Sequence, residues 1–162
     1  MTSIEPDTAE GDADLAFGRF FATTEPPLRR ALMATYGPEA GREATAEAFA
    51  WAWEHRDDLE SLDYPVRYLY RVAQSRSRRR KVGVLQARNE WAEPWIEPDL
   101  MNALRKLSQR QRVAVVLVHG YSWTLAEVAE LLGLKVTTVQ THLERGLARL
   151  RSHLEVVPDA RS

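Results

Sequence analysis

The chain has no cysteine, which excludes a disulfide framework, a thiolate zinc site and a cysteine nucleophile. It also lacks a glycine-rich phosphate loop, and no apolar run approaches the roughly 20 residues of a membrane helix. The opening MTSIEPDTAEGDAD has neither the basic end nor the apolar run of a signal peptide, so the expectation is a soluble, cytoplasmic chain without membrane insertion. Strand-like alternation is missing too. The one β-rich run, VAVVLV at 113–118, lies between Ser108 and Gly120 and suits a buried helix equally well. No repeat of solenoid period is present. His55 with Glu54, Asp57 and Asp58 is the only acid and histidine cluster that resembles a catalytic site. With no second histidine at ligand spacing it reads as a helix-end cap or salt bridge, so no metal, no cofactor and no enzymatic activity are expected.

Charge is present but unevenly placed. The formal net charge of −1 hides an acidic start, with Glu5, Asp7, Glu10, Asp12 and Asp14 and no base among them. It also hides a basic run: Arg67, Arg71, Arg76, Arg78, Arg79, Arg80 and Lys81 fall in a stretch with no acid at all. A local basic patch binds phosphate whatever the total charge.

Apolar spacing predicts an all-α fold of two small helical domains joined by a short linker, the second containing a helix-turn-helix. Residues 1–13 read as a disordered acidic leader. In the first domain, 14–81, Leu15, Phe17, Phe20 and Phe21 give one apolar side. A break follows at Pro26 and Pro27, and then come Leu28, Leu32 and Met33. A helix over 39–55 buries Ala44, Ala48, Trp51 and Ala52, widened by Phe49 and Trp53, with Glu43, Glu47 and Glu54 facing away. Pro65 opens another helix that turns Leu69, Val72 and Ala73 inward and leaves Tyr70 as a core aromatic. Residues 82–99, with Trp91 and Trp95, read as a linker whose tryptophans dock on a body or a partner. The second domain spans 100–155, and 156–162 form a tail.

Residues 124–151, TLAEVAELLGLKVTTVQTHLERGLARLR, carry the sharpest signal. Leu125, Val128, Ala129 and Leu132 form one buried face, Gly133 ends the helix in the left-handed conformation, and Leu134 plugs the turn. The next helix buries Val139, Leu143, Leu147 and Leu150, which leaves Thr137, Thr138, Thr141 and Arg145 outward, flanked by Gln140, His142 and Arg149. That is a helix-turn-helix whose second helix suits the major groove. Gln can pair with an adenine edge, Thr meets the thymine methyl, and Arg takes guanine or phosphate. Arg105, Lys106, Arg110, Arg112 and Lys135 are the candidate phosphate contacts.

Residues 107–154, LSQRQRVAVVLVHGYSWTLAEVAELLGLKVTTVQTHLERGLARLRSHL, resemble region four of bacterial sigma factors. The match is carried by Leu107, Arg112, Glu127, Val128, Ala129, Leu132, Gly133, Thr138, Val139, Leu143, Ala148, Leu150 and Arg151. EATAEAFAWAW and YPVRYLYRVAQSRSRRR resemble sigma region two, so the whole is similar to the extracytoplasmic-function group. Ala46, Tyr68, Ser75 and the triplet Gln140, Thr141, His142 depart from the group's commoner residues.

The resemblance implies an alternative sigma factor that binds core RNA polymerase and directs it to promoter DNA. Glu43 and Glu47 would dock on the polymerase. Arg67, Tyr68, Arg71, Arg76, Arg78, Arg79, Arg80 and Lys81, with the loop 57–64, would hold the melting region and an unstacked base. Lys135, Thr137, Thr138, Gln140, Thr141, His142, Arg145 and Arg149 would read the upstream promoter element. An anti-sigma factor, common in the group, is a further candidate partner. The rival reading is a sigma-like helix-turn-helix regulator that binds DNA without initiating transcription.

Overall fold

The computed structural model describes residues 8–80 and 98–155, and the regular elements among them are all helical. In chain order they are α1 (Thr8–Tyr36), α2 (Pro38–Glu54), a 3-10 turn (Arg56–Ser61), α3 (Pro65–Arg80), α4 (Pro98–Arg105) and α5 (Gln109–Val115). A wide π turn (Val116–Gly120), α6 (Leu125–Leu132) and α7 (Val136–Glu155) complete the order. Trp91, Trp95 and most of the expected linker lie outside the described residues. The side chains of Arg78, Arg79 and Arg80, and all of Lys81, also lie outside them.

Two sequence expectations fail in α1. The helix begins at Thr8, within the span expected to be a disordered leader. It also runs unbroken through Pro26 and Pro27. Those prolines cannot donate to the carbonyls of Ala22 and Thr23, but both residues are exposed and water can serve those oxygens. Beyond the prolines Leu28, Ala31 and Leu32 are fully buried. At about 1.5–3 kcal/mol for each large side chain, that burial is of the same order as the roughly 3 kcal/mol cost of each of the two interior prolines.

α1 and α2 form an antiparallel pair that crosses at Gly41. A Cβ there would come within 2.5 Å of the Met33 Cα, so glycine alone allows the approach. Leu15, Phe21 and Trp53, expected on apolar faces, are left exposed. Phe21 packs edge-on to Phe49 and Trp53 edge-on to Phe17, so the two helices share an aromatic seam at their surface.

The two bodies do not stand apart. One buried cluster joins Leu32 of α1, Ala48 of α2 and Leu69 of α3 to Leu117, Val128 and Leu131 of the second body. A smaller cluster of Met101, Leu104, Leu107 and Val115 is closed by Leu143, Leu147 and Leu150 of α7. Arg112 of α5 ties the bodies together. Its Nε donates to the Ala34 carbonyl at 3.2 Å and its Nη2 to the Thr35 carbonyl at 2.8 Å. Both oxygens belong to the last turn of α1, where a helix has no acceptor-satisfying N–H of its own and where a cation is favoured. This corrects the expectation that Arg112 contacts DNA phosphate, because its guanidinium is turned into the joint and holds two carbonyls there.

Beneath that contact the Thr35 hydroxyl donates to the Ala31 carbonyl at 2.8 Å and so must accept from the Tyr70 hydroxyl, 2.7 Å away. Tyr70 is core, as expected. Burial pushes its phenol up from 10.0 to about 12. Burial likewise lowers Arg112, with Tyr70 opposing.

Candidate nucleic-acid interface

The helix-turn-helix is built from local sequence signals that each find their partner. Thr124 caps α6: its hydroxyl oxygen accepts from the Glu127 N–H at 3.2 Å, while the Glu127 carboxylate accepts from the Thr124 N–H at 2.7 Å and from its hydroxyl at 2.8 Å. This reciprocal box satisfies donors that a helix start leaves orphaned. The Thr124 backbone N–H, and then its hydroxyl, hold the Glu127 carboxyl below its ordinary value. At the other end Gly133 has φ 65°, a left-handed conformation that favours glycine. The Leu134 N–H returns to the Ala129 carbonyl at 2.9 Å and closes the turn.

α7 then starts at Val136, two residues after Leu134. Val139 is fully buried and fixes the helix against the core, with Leu143, Leu147 and Leu150 half-buried below it. Gly146 allows the close crossing on α5, since a Cβ there would come 2.8 Å from Val115 Cγ2. Lys135, Thr137, Gln140, Thr141, Arg145 and Arg149 are exposed as expected, while Thr138 and His142 are half-buried at the edge of the row. The Thr141 hydroxyl donates to the Thr137 carbonyl at 3.0 Å, which leaves its oxygen able to accept.

Sequence reasoning missed Glu144. Exposed on the same row, it accepts a hydrogen bond from Gln140 Nε2 at 3.0 Å. Its spacing of four from Gln140 was a readable signal. A carboxylate repels phosphate and can accept from the cytosine amino group. The centre of the row is therefore suited to base edges, with Lys135, Arg145 and Arg149 as flanking cations.

The residues expected at the melting region divide. Tyr68 and Arg76 are exposed on α3. Arg67 and Arg71 instead reach the second body: a Cβ on Gly133 would meet Arg71 Nη2 at 2.9 Å and Arg67 Nη2 at 3.3 Å. Both guanidinium groups thus stand over the end of α6, the negative pole of that helix. Among α2 residues Glu43 is exposed and Glu47 half-buried, both on the surface away from the core. Among the described residues no group of three or more acids, histidines or cysteines could hold a metal ion.

These features define the class, a helix-turn-helix body with a polar and basic second helix, packed on a second helical body that carries a basic helix. Residues 98–150 match the family model described as Sigma-70, region 4. The chain is 45% identical over 56 residues to the RNA polymerase sigma-E factor of Streptomyces antibioticus, covering 35% of this chain and 31% of that one. It is 44% identical over 55 residues to the sigma-E factor of Streptomyces coelicolor. The matched stretch thus spans about a third of the length of these curated relatives.

Likeness of fold extends further. The sigma factor RpoE of Bartonella quintana, solved in complex with the anti-sigma factor NepR, superposes with a TM-score of 0.60 at 22% identity, covering 88% of this chain and 98% of that one. CnrH, solved in complex with the cytosolic domain of CnrY, superposes with a TM-score of 0.61 at 26% identity, covering 88% and 89%.

Proposed function

We propose that this chain is an alternative sigma factor, a non-enzymatic protein that binds core RNA polymerase and directs it to specific promoters for transcription initiation. One observation carries the reading: the stretch that holds the helix-turn-helix matches Sigma-70 region 4 and RNA polymerase sigma-E factors, and the likeness of fold to CnrH runs on through both bodies. In this reading α7 presents Thr137, Gln140, Thr141, Glu144 and Arg145 to the upstream promoter element, with Lys135 and Arg149 on phosphates. The α3 residues Tyr68 and Arg76 take the melting region, and Glu43 and Glu47 on α2 dock on the polymerase. The work belongs in the cytoplasm, and no helix among the described residues is long and apolar enough to cross a membrane.

An anti-sigma factor is a further proposed partner. CnrH and the Bartonella quintana factor are each held by a second protein. Here an apolar groove of about 780 Å³ opens between the bodies, lined by Met33, Leu104, Val115, Tyr121, Leu147 and Leu150 among others. A groove with both bodies in its walls is one that a partner could cover while holding them together.

Affinity chromatography on core RNA polymerase tests the reading. The chain is expected to be retained and to elute as a one-to-one complex. A chain that binds DNA but passes through the column would instead support the regulator that does not initiate transcription.

A further inference from the structure

Between α3 of the first body and α5 and α6 of the second lies a cavity of about 470 Å³ that the sigma reading leaves without a role. Its chemistry is unlike that of the apolar groove. Arg71 of α3 and Arg110 of α5 line it from opposite bodies, with Ser75 and Gln109 beside them. Buried Val113 and Leu131 form its floor. No acid lines it. α3 and α5 hold no acid over their whole length, and Glu127 and Glu130 of α6 line a separate cavity with Arg30 and Arg67.

Charge and hydrogen bonding both leave this site short of an anion. Arg71 Nη2 faces the turn at Gly133, where the end of α6 supplies about half an elementary negative charge. Against it stand the full charges of two arginines. Among the described residues neither guanidinium makes a salt bridge or a hydrogen bond. Each carries five N–H donors in a planar fork, a geometry that suits phosphate. Two cations brought into one cavity repel each other, and an anion seated between them turns that repulsion into attraction.

Size and lining narrow the ligand further. Cavities of roughly 300–1,000 Å³ take whole small molecules, so a bare phosphate would leave most of this one unfilled. The apolar floor suits a flat ring, while Ser75 and Gln109 each offer a donor and an acceptor to a base edge or a sugar hydroxyl. A nucleic-acid duplex is too wide to enter. We propose that this cavity binds a nucleoside phosphate, its phosphate between Arg71 and Arg110 and its ring on Val113 and Leu131. The site goes beyond the sigma reading and does not rest on it. Because the two arginines belong to different bodies, the ligand strengthens the joint between them as its concentration rises.

Calorimetric titration of the full chain with AMP, GMP, ATP and GTP tests the site, with adenosine, guanosine, inorganic phosphate and a short DNA duplex as the competing probes. At least one nucleotide should bind one-to-one, and its nucleoside and inorganic phosphate should each bind at least about 10-fold more weakly. Arg71→Gln and Arg110→Gln should each weaken the nucleotide about 10- to 100-fold. Both side chains are exposed, so both variants should melt as the wild type does without ligand. Saturating nucleotide should raise the melting midpoint of the wild type and leave those of the variants where they are. Arg19→Gln removes an exposed charge of α1 outside the cavity and should change binding by less than about 2-fold.

Four outcomes overturn the proposal. They are no binding of any of the four nucleotides, inorganic phosphate binding as tightly as the nucleotide, nucleotide binding that survives either cavity substitution, and an equal loss in Arg19→Gln. If the two cavity variants weaken the duplex and leave the nucleotide untouched, the arginines belong to the DNA backbone instead.

Discussion

The second body and the first reach similar helical structures with very different legibility. In the second, the chemistry of α6 and α7 is written in contiguous residues: Thr124 and Glu127 cap, Gly133 turns, Val139 anchors, and the exposed row follows from the 3.6-residue period. In the first, the decisive contacts join distant residues, such as Arg112 to the end of α1 and Tyr70 to Thr35. A domain whose function lies in a local motif can be matched from a third of the chain. One whose function lies in its packing shows its relatives only as a fold.

The largest expected effect sits at the joint between them. Arg112→Ala strips two carbonyls of a charged donor and should cost about 3 kcal/mol of stability, read as a lower urea midpoint. If the bodies are independent instead, the loss will be small and confined to the second.

Next is the buried phenol of the first body. Its folded-state value, raised from 10.0 to about 12, means that the neutral form is the one the fold holds. The stability it contributes is therefore complete below pH 10 and is lost as pH rises toward 12, by up to about 2.5 kcal/mol. Denaturation curves of the wild-type chain and Tyr70→Phe should diverge in slope across that window, and parallel curves would discard the assignment.

Arg145→Ala on α7 should cost about 1–3 kcal/mol on a specific promoter if the side chain reads a base. A loss that is uniform over all sequences, with a shallower salt dependence, would move Arg145 to the phosphate contacts. The smallest effect belongs to Thr124→Ala, about 1 kcal/mol of stability from the lost cap. Thermal melts would detect it, and no change would show that packing alone holds α6.

What could be read in advance divides along the same line. The helical class, the turn at Gly133, the buried side of α6 and the burial of Tyr70 all follow from periodicity and turn chemistry. The continuity of α1 did not, because a proline's local cost is legible and the compensating burial of Leu28 and Leu32 is not. Arg112 looked like a phosphate ligand for the same reason, since nothing local marks a guanidinium as the cap of a distant helix. Trp53 was expected to be buried and lies exposed, because a helix wide in apolar residues does not announce which edge its neighbours leave open. Glu144 was the avoidable miss.

The central claim is that both bodies serve one act, promoter-directed initiation. Run-off transcription of genomic fragments by core RNA polymerase, with and without the chain, tests it most directly. The account predicts discrete start sites that depend on the chain and weaken with Arg145→Ala. Identical transcripts in both reactions, with the chain nonetheless bound to the fragments, would contradict it.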